Sequence, residues 1–310
     1  MKFKQQPHAL MMVRPASFGF NQQTAASNAF QQLPSETDDV HIQALEEFDR
    51  MVDVLRAHEV DVVVFDDLPE PVKPDAIFPN NWISFHDDGT VVLYPMMAEN
   101  RRPEKRKGLI EQLMKDFEVK NVIDLSGEED HEKYLEGTGS IVFDHINRVA
   151  YSCRSPRTNE ALLLRLSGLL KYRPVLFSAV DENNLAIYHT NVMMSIGEKF
   201  AVVCLDAIRD EHDQEILLQN FAETGKKVVA ISYAQMKAFA GNILEAETRT
   251  HEPVVLLSET AFQSLLPGQL NAITQFAEVL PLRVNTIEKR GGGSVRCMVA
   301  DICLPKRKAV

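Results

Sequence analysis

The sequence predicts an α/β chain folded as a five-fold pseudo-symmetric β/α propeller, a single domain over residues 1–310 closed by pairing of its N- and C-terminal strands. Three observations predict this class. A unit made of a strand pair, an amphipathic helix and a short buried strand recurs about every 50 residues, the mark of a repeat architecture. Hairpins recur between the helices, whereas a doubly wound parallel sheet has single strands there. The two ends carry incomplete units and no Gly/Ser/Pro-rich linker divides the chain, as a closed ring requires.

The first unit opens with a predicted strand over His8–Val13. A helix over 41–58 follows, with Ile42, Leu45, Phe48, Val52 and Leu55 at the spacing of a buried face, and then a strand over Val60–Phe65. This unit lacks one strand, which Ser294–Cys303 at the far end can supply. In the second unit, residues 82–86 and Val91–Tyr94 flank the hairpin residues Asp87-Asp88-Gly89. Its helix places Leu109, Ile110, Leu113, Met114 and Phe117 on one face, and Val119–Leu125 form the buried strand. The third unit reads as Ser140–Phe143, a turn at Asp144–Asn147, Val149–Ser152, a helix over Thr158–Leu170 and a strand over Pro174–Phe177. The fourth reads as Val192–Ile196, a Gly197-Glu198 turn, Ala201–Leu205, a helix over Asp210–Thr224 and a strand over Lys227–Ile231. The fifth begins at Gly241-Asn242 and continues through Val254–Leu257, a helix over 259–266 and a strand over Glu278–Arg283.

With 33 Lys+Arg against 44 Asp+Glu, the formal net charge of −11 argues against a sequence-independent grip on nucleic acid or an anionic membrane. The basic runs Arg101-Arg102 to Arg106-Lys107 and Lys306-Arg307-Lys308 read as solvated faces. The N-terminal residues Met1-Lys2-Phe3-Lys4 precede an apolar run of about five residues, short of the roughly 7–15 of a signal peptide and the about 20 of a membrane span. Four cysteines, Cys153, Cys204, Cys297 and Cys303, make neither a disulfide framework nor a paired metal motif, so a reduced cytoplasmic setting is expected.

In a five-fold ring the residues that open each unit converge on the centre. Here they are Asn81, Gly139, Asn191, Asn242 and Cys297. Cys297 follows Gly291-Gly292-Gly293, a run that admits close approach of a ligand to the backbone. His189 precedes Thr190-Asn191 and would meet Cys297 across the ring, as the proton partner of a thiol nucleophile must. In Leu135-Glu136-Gly137-Thr138-Gly139-Ser140 a carboxylate stands beside two glycines and is read as facing the cavity. Phe78-Pro79-Asn80-Asn81-Trp82 offers two amides between aromatics. Cys153, Cys204 and Cys303 sit in apolar strand sequence and read as packing, and His86 and His131 read as structural.

The ordered set FPNNW, EGTGS, SPRT, HTN and GGGSVRC resembles the guanidine-modifying enzymes of the amidinotransferase, or pentein, superfamily over about residues 70–300. It is most similar to the arginine-deiminase-related branch of citrulline-utilisation hydrolases. The resemblance implies a pentein fold and a cysteine-dependent hydrolase of a guanidino or ureido amino acid that acts through a covalent S-linked intermediate. It places the nucleophile on Cys297, the catalytic histidine on His189 and the guanidinium-binding carboxylate on Glu136. Thr138 departs from the second glycine of the usual Glu-Gly-Gly. Arg157 falls on the arginine that grips the substrate carboxylate, with Arg154 as a competitor. Phe78, Asn81, Asn191 and Gly293 complete the expected substrate-binding set, and neither metal nor organic cofactor is called for. The partner implied is one small molecule, with no nucleic acid and no membrane, and a homodimer is left open.

Two departures bear on the substrate. Asn81 and Asn191 stand where deiminases carry aspartates. A neutral amide both donates and accepts, and so suits a neutral ureido group better than a cationic guanidinium. Two rivals to hydrolysis are an amidinotransferase, which passes the amidino group to an amine, and a non-enzymatic binding protein, since the five-fold ring also serves a ribosome-anti-association factor.

Overall fold

The computed structural model describes residues 4–25, 28, 30–33 and 39–307. Met1 to Phe3 of the N-terminal reading and Lys308 of the last basic run lie outside them. The fold is mixed α/β with five three-stranded sheets, one for each repeat.

Strands β1 (Ala9–Arg14) and β2 (Val62–Asp66) are joined by a helix over Val40–Ala57. The second unit holds β3 (Ile83–Phe85), β4 (Thr90–Leu93) and β5 (Asn121–Asp124), and the third β6 (Val142–Asp144), β7 (Val149–Cys153) and β8 (Arg173–Phe177). The fourth holds β9 (Met194–Ile196), β10 (Phe200–Val203) and β11 (Lys227–Ala230). The fifth holds β12 (Leu244–Glu247), β13 (Pro253–Ser258) and β14 (Glu278–Leu282), and β15 (Ala300–Ile302) ends the described strands. In four sheets the middle strand runs antiparallel to its hairpin partner and parallel to the strand that follows the helix. The remaining sheet is completed from the other end of the chain: β15 pairs antiparallel with β1, Ala9 opposite Ile302 and Met11 opposite Ala300, while β1 runs parallel to β2.

The middle strands are apolar without alternation because both faces are covered; Val91, Val92, Ala201, Val202, Val203, Val255 and Leu256 are fully buried. The helices that cross back are capped where the sequence provides an Asx residue. Asn159 accepts from the Leu162 amide and Asp210 from the Asp213 amide, which satisfies an otherwise orphaned donor in the first turn.

Three expectations are corrected. The residues that open the units are not strand ends. Pro79–Asn81, Gly137–Ser140, Thr190–Met193 and Val295–Met298 are single helical turns that precede or replace the expected strand, so β9 begins at Met194 and β15 only at Ala300. Turns of different units pack against one another: Gly137–Ser140 against Pro79–Asn81 and Thr190–Met193, and Pro79–Asn81 against Val295–Met298. Secondly, Ile42 is 53% exposed; the buried stripe of its helix is Ala44, Phe48, Met51, Val52 and Leu55, with Glu47 reaching under to accept from the amides of Thr286 and Ile287. Thirdly, Met114 is 37% exposed because the helix stops at Leu113.

Polar bonds stitch these turns to one another. Thr138 Oγ1 donates to Asn80 O (3.3 Å), Thr190 Oγ1 to Ser140 O (2.6 Å), and Asn242 Nδ2 to Asn191 O (2.9 Å).

Candidate active site

Cys297 and His189 line one small cavity, together with Asp75, Phe78, Asn81, Arg101, Arg157, Tyr188 and the backbone of Gly291–Gly293. Its volume is about 20 Å³, room for about one water. Cys297 sits in the turn Val295–Met298, held by its amide to Ser294 O at 2.9 Å. The glycine run packs on Phe78: a Cβ on Gly293 would lie 2.9 Å from Phe78 Cε1, so no side chain fits between that ring and the cysteine.

His189 Nε2 bonds to Glu136 Oε2 at 2.8 Å. The same oxygen accepts from Arg157 Nη1 at 3.2 Å, and Oε1 accepts from the Met97 amide at 3.0 Å. Burial raises the Glu136 pKa, but Arg157 and His189 outweigh it, so the carboxyl is held below its ordinary range and stays ionised. Burial lowers the His189 pKa to about 4 against the opposing pull of Glu136, so the ring is neutral at pH 7. A neutral imidazole facing an anion keeps its proton on Nε2, which leaves Nδ1 as a bare acceptor. Nδ1 lies beside Gly139, where an added Cβ would come within 3.0 Å of it and within 2.4 Å of Asn81 Nδ2. Burial also pushes the Cys297 thiol above its usual range, opposed by hydrogen bonds from the surrounding backbone and amides. The resting pair is therefore thiol and neutral imidazole.

Glu136 does not face the cavity, contrary to the sequence reading. It lies behind His189 and Arg157, fully buried, because three donors from three separate segments draw it inward. Its own turn is locked to the Arg157 loop, since the Glu136 amide and Ser140 Oγ both bond to Arg157 O. Arg157 is 3% exposed, with its guanidinium 5.0 Å from the Tyr188 ring centroid. Arg154 is an exposed residue paired with Glu160 and Asp213, away from the cavity. Asn191 touches Cys297 Sγ through Nδ2 at 3.7 Å but lies behind the sulfur rather than along the cavity wall.

Sequence reasoning missed four contributors. Arg101, read as part of a solvated basic run, is 3% exposed. It donates to both Glu104 carboxylate oxygens at 2.9 Å, to Phe78 O at 3.0 Å and to Asn81 Oδ1 at 2.8 Å. The i+3 acidic partner Glu104 was its one local signal. Asp75 accepts from Asn21 Nδ2 and Thr24 Oγ1 on one oxygen, while its buried Oδ1 has no hydrogen-bond partner. Tyr188, adjacent to His189, donates its hydroxyl to Gly292 O at 3.0 Å. Asn242 Nδ2 lies 3.2 Å from Cys297 Sγ, and its place at the opening of the fifth unit was signal enough to find it.

A buried thiol and a histidine tethered to a carboxylate, set among five three-stranded sheets, place the chain in the class of guanidine-modifying enzymes, hydrolases that act on C–N bonds other than peptide bonds. Residues 14–304 match the model of the family described as N,N dimethylarginine dimethylhydrolase, eukaryotic, and the chain belongs to that family. No curated protein sequence matches it. Among solved structures it resembles the N-terminal domain of ArgZ, an arginine dihydrolase from the ornithine-ammonia cycle in Cyanobacteria, with 14% identity, a TM-score of 0.75, and coverage of 96% of this chain and 98% of that one. It resembles unliganded AgrE with 18% identity and a TM-score of 0.76, over 97% of this chain but 40% of AgrE. It also resembles a dimethylarginine dimethylaminohydrolase adduct with 14% identity, a TM-score of 0.63, and coverage of 96% and 99%. At these identities the likeness is one of fold.

Proposed function

We propose that the chain hydrolyses a free amino acid with a neutral ureido side chain, citrulline being the natural candidate, through a covalent intermediate on Cys297. The observation that carries the substrate preference is the orientation of Asn81. Arg101 can only donate, so the Asn81 oxygen must face it. The Asn81 Nδ2 group is then a buried donor without a partner, beside Gly139 and His189. A ureido oxygen satisfies that donor, whereas every nitrogen of a guanidinium carries hydrogens and would oppose it. Two arginine cations at the same cavity add to the disfavour for a cationic head group.

In this reading His189 Nδ1 takes the Cys297 proton and the thiolate attacks the ureido carbon. The imidazolium then protonates the departing nitrogen as the C–N bond breaks. Nδ1 next takes a proton from water, whose hydroxide adds to the S-linked carbonyl carbon; the S–C bond breaks, the imidazolium returns its proton to the thiolate, and the released carbamate breaks down to carbon dioxide and ammonia. Glu136 acts through His189, fixing its tautomer and stabilising the transient cation, as the third member of a nucleophile–base pair does. Arg157 keeps one nitrogen on Glu136 while the rest of its fork meets the substrate carboxylate, and Asp75 Oδ1 takes the α-ammonium. A covalent route accords with the ArgZ domain, which has been captured covalently bonded to a reaction intermediate. The family's description points to methylated arginines and the ArgZ structure to arginine, which makes the comparison direct. Ammonia and ornithine release from citrulline is expected to exceed that from arginine by at least tenfold in kcat/KM, and equal or faster turnover of arginine would sink the preference.

We further propose that the five sheets close into one propeller and form a single catalytic domain. The β15–β1 pairing and the bonds that stitch successive central turns support this. A cytoplasmic setting accords with four buried, unbridged cysteines. Among the described residues no helix is long and apolar enough to cross a membrane.

A further inference from the structure

We propose that Asn242 is a catalytic residue whose side-chain amide holds the Cys297 sulfur as the thiolate. This rests on the reading of Cys297 as the nucleophile. Asn242 is fully buried at the opening of the fifth unit, and the orientation of its amide is fixed: Nδ2 donates to the carbonyl oxygen of Asn191, which can only accept. The second hydrogen of the same nitrogen points to Cys297 Sγ at 3.2 Å. Among the described residues the sulfur also meets the Asn191 amide, with Nδ2 at 3.7 Å, and a backbone hydrogen bond at Ser294. No cationic side chain bonds to the sulfur there, so amide hydrogens are the groups placed to receive its negative charge.

The energetics favour a role in the charged state. A thiol sulfur is a weak acceptor, so the bond to Sγ adds little stability while the cysteine is protonated. The Asn242 Oδ1 atom is buried with no partner, and an orphaned acceptor of that kind is destabilising. An arrangement with an unsatisfied oxygen and a weak contact gains only when the sulfur ionises, since hydrogen bonds to ionised groups are about twice as strong as neutral ones. Because its other hydrogen is anchored on Asn191, the amide also ties the sulfur to the segment that carries His189, two residues earlier.

Alkylation tests this without reference to any substrate. Iodoacetamide labelling of Cys297, followed by peptide mass spectrometry across the neutral to alkaline range, reads the thiolate fraction directly. In the native protein labelling should quicken as pH rises past the ordinary thiol range, because burial raises the Cys297 thiol. N242A should move that profile upward by about one pH unit, about tenfold slower labelling below its midpoint. N242D, of the same shape but with the donor replaced by an anion, should move it further. Citrulline turnover should fall in kcat by more than tenfold with KM changed less than threefold. Should N242A lose the fold, the isosteric N242D carries the test. A labelling midpoint unchanged in a folded variant overturns the proposal, whether or not kcat falls, because a residue that only packs would leave the sulfur's titration alone. Labelling reads the sulfur even in a protein that hydrolyses none of the candidate substrates, so failure of the substrate reading and failure of this one are distinguishable.

Discussion

Replacing Cys297 by alanine is expected to reduce turnover by at least ~10⁴-fold, the scale on which removal of a covalent nucleophile acts, while the circular dichroism and unfolding transition stay close to native. The size follows from chemistry rather than packing. His189 is neutral with Nδ1 bare, so it is a base awaiting a proton, and the Cys297 thiol lines the same cavity. Without the sulfur, water must attack a resonance-stabilised carbon directly. The structural cost is small because the side chain lost is short and the surrounding turn is held by the Cys297 amide and by Phe78 against the glycine run, neither of which depends on Sγ. Stability should change by about 1 kcal/mol, an ordinary value for a small truncation. Steady-state ammonia release and thermal unfolding of the purified variant check both parts, and residual turnover within tenfold of native would remove Cys297 from the mechanism.

Glu136→Gln is expected to be costly in both activity and stability. The Glu136 carboxylate accepts from Met97 N, Arg157 Nη1 and His189 Nε2, all of them donors. An amide offers one accepting end. Whichever way Gln turns, its NH₂ group faces a donor, and the buried Arg157 loses its counter-charge. Breaking a buried pair from one side typically costs about 3–5 kcal/mol, to be seen as a lowered urea midpoint. His189 loses the partner that fixes its tautomer and raises its pKa, so its affinity for the proton falls below its already low value. A kcat loss on the order of 10⁴-fold is expected, with the scale set by mis-set tautomers in histidine-based hydrolases. A folded variant of near-native kcat would show that Glu136 is only structural.

What the sequence discloses and what it conceals divide along a physical line. The repeat was legible because each sheet and its helix are built from contiguous residues, and hydrophobic spacing reports local structure. Cys297 and His189 were legible because they stand at the repeat positions, one beside a glycine run. The direction of the Glu136 side chain was not, since it is set by Met97, Arg157 and His189, which come from three other segments. Arg101 was misread for the same reason: a run of basic residues looks solvated until the partners Asn81 and Phe78, some twenty residues earlier, are brought onto it. The short helical turns that open the units escaped notice because three or four residues carry no periodicity to read. Asn242 is the instructive case, visible by spacing yet overlooked because an asparagine at a turn has an ordinary conformational explanation.

The proposed chemistry turns on the charge of the Cys297 sulfur and the bond it forms to the substrate carbon. The measurement that bears on it most directly is intact-protein mass spectrometry of the native enzyme, quenched in acid during turnover of citrulline and of arginine, followed by peptide mapping. A transient mass increase is expected, confined to the peptide that carries Cys297 and absent from the alanine variant. Turnover at the native rate with no adduct on that peptide under conditions that trap S-linked intermediates, or an adduct on Cys153, Cys204 or Cys303 instead, would contradict it.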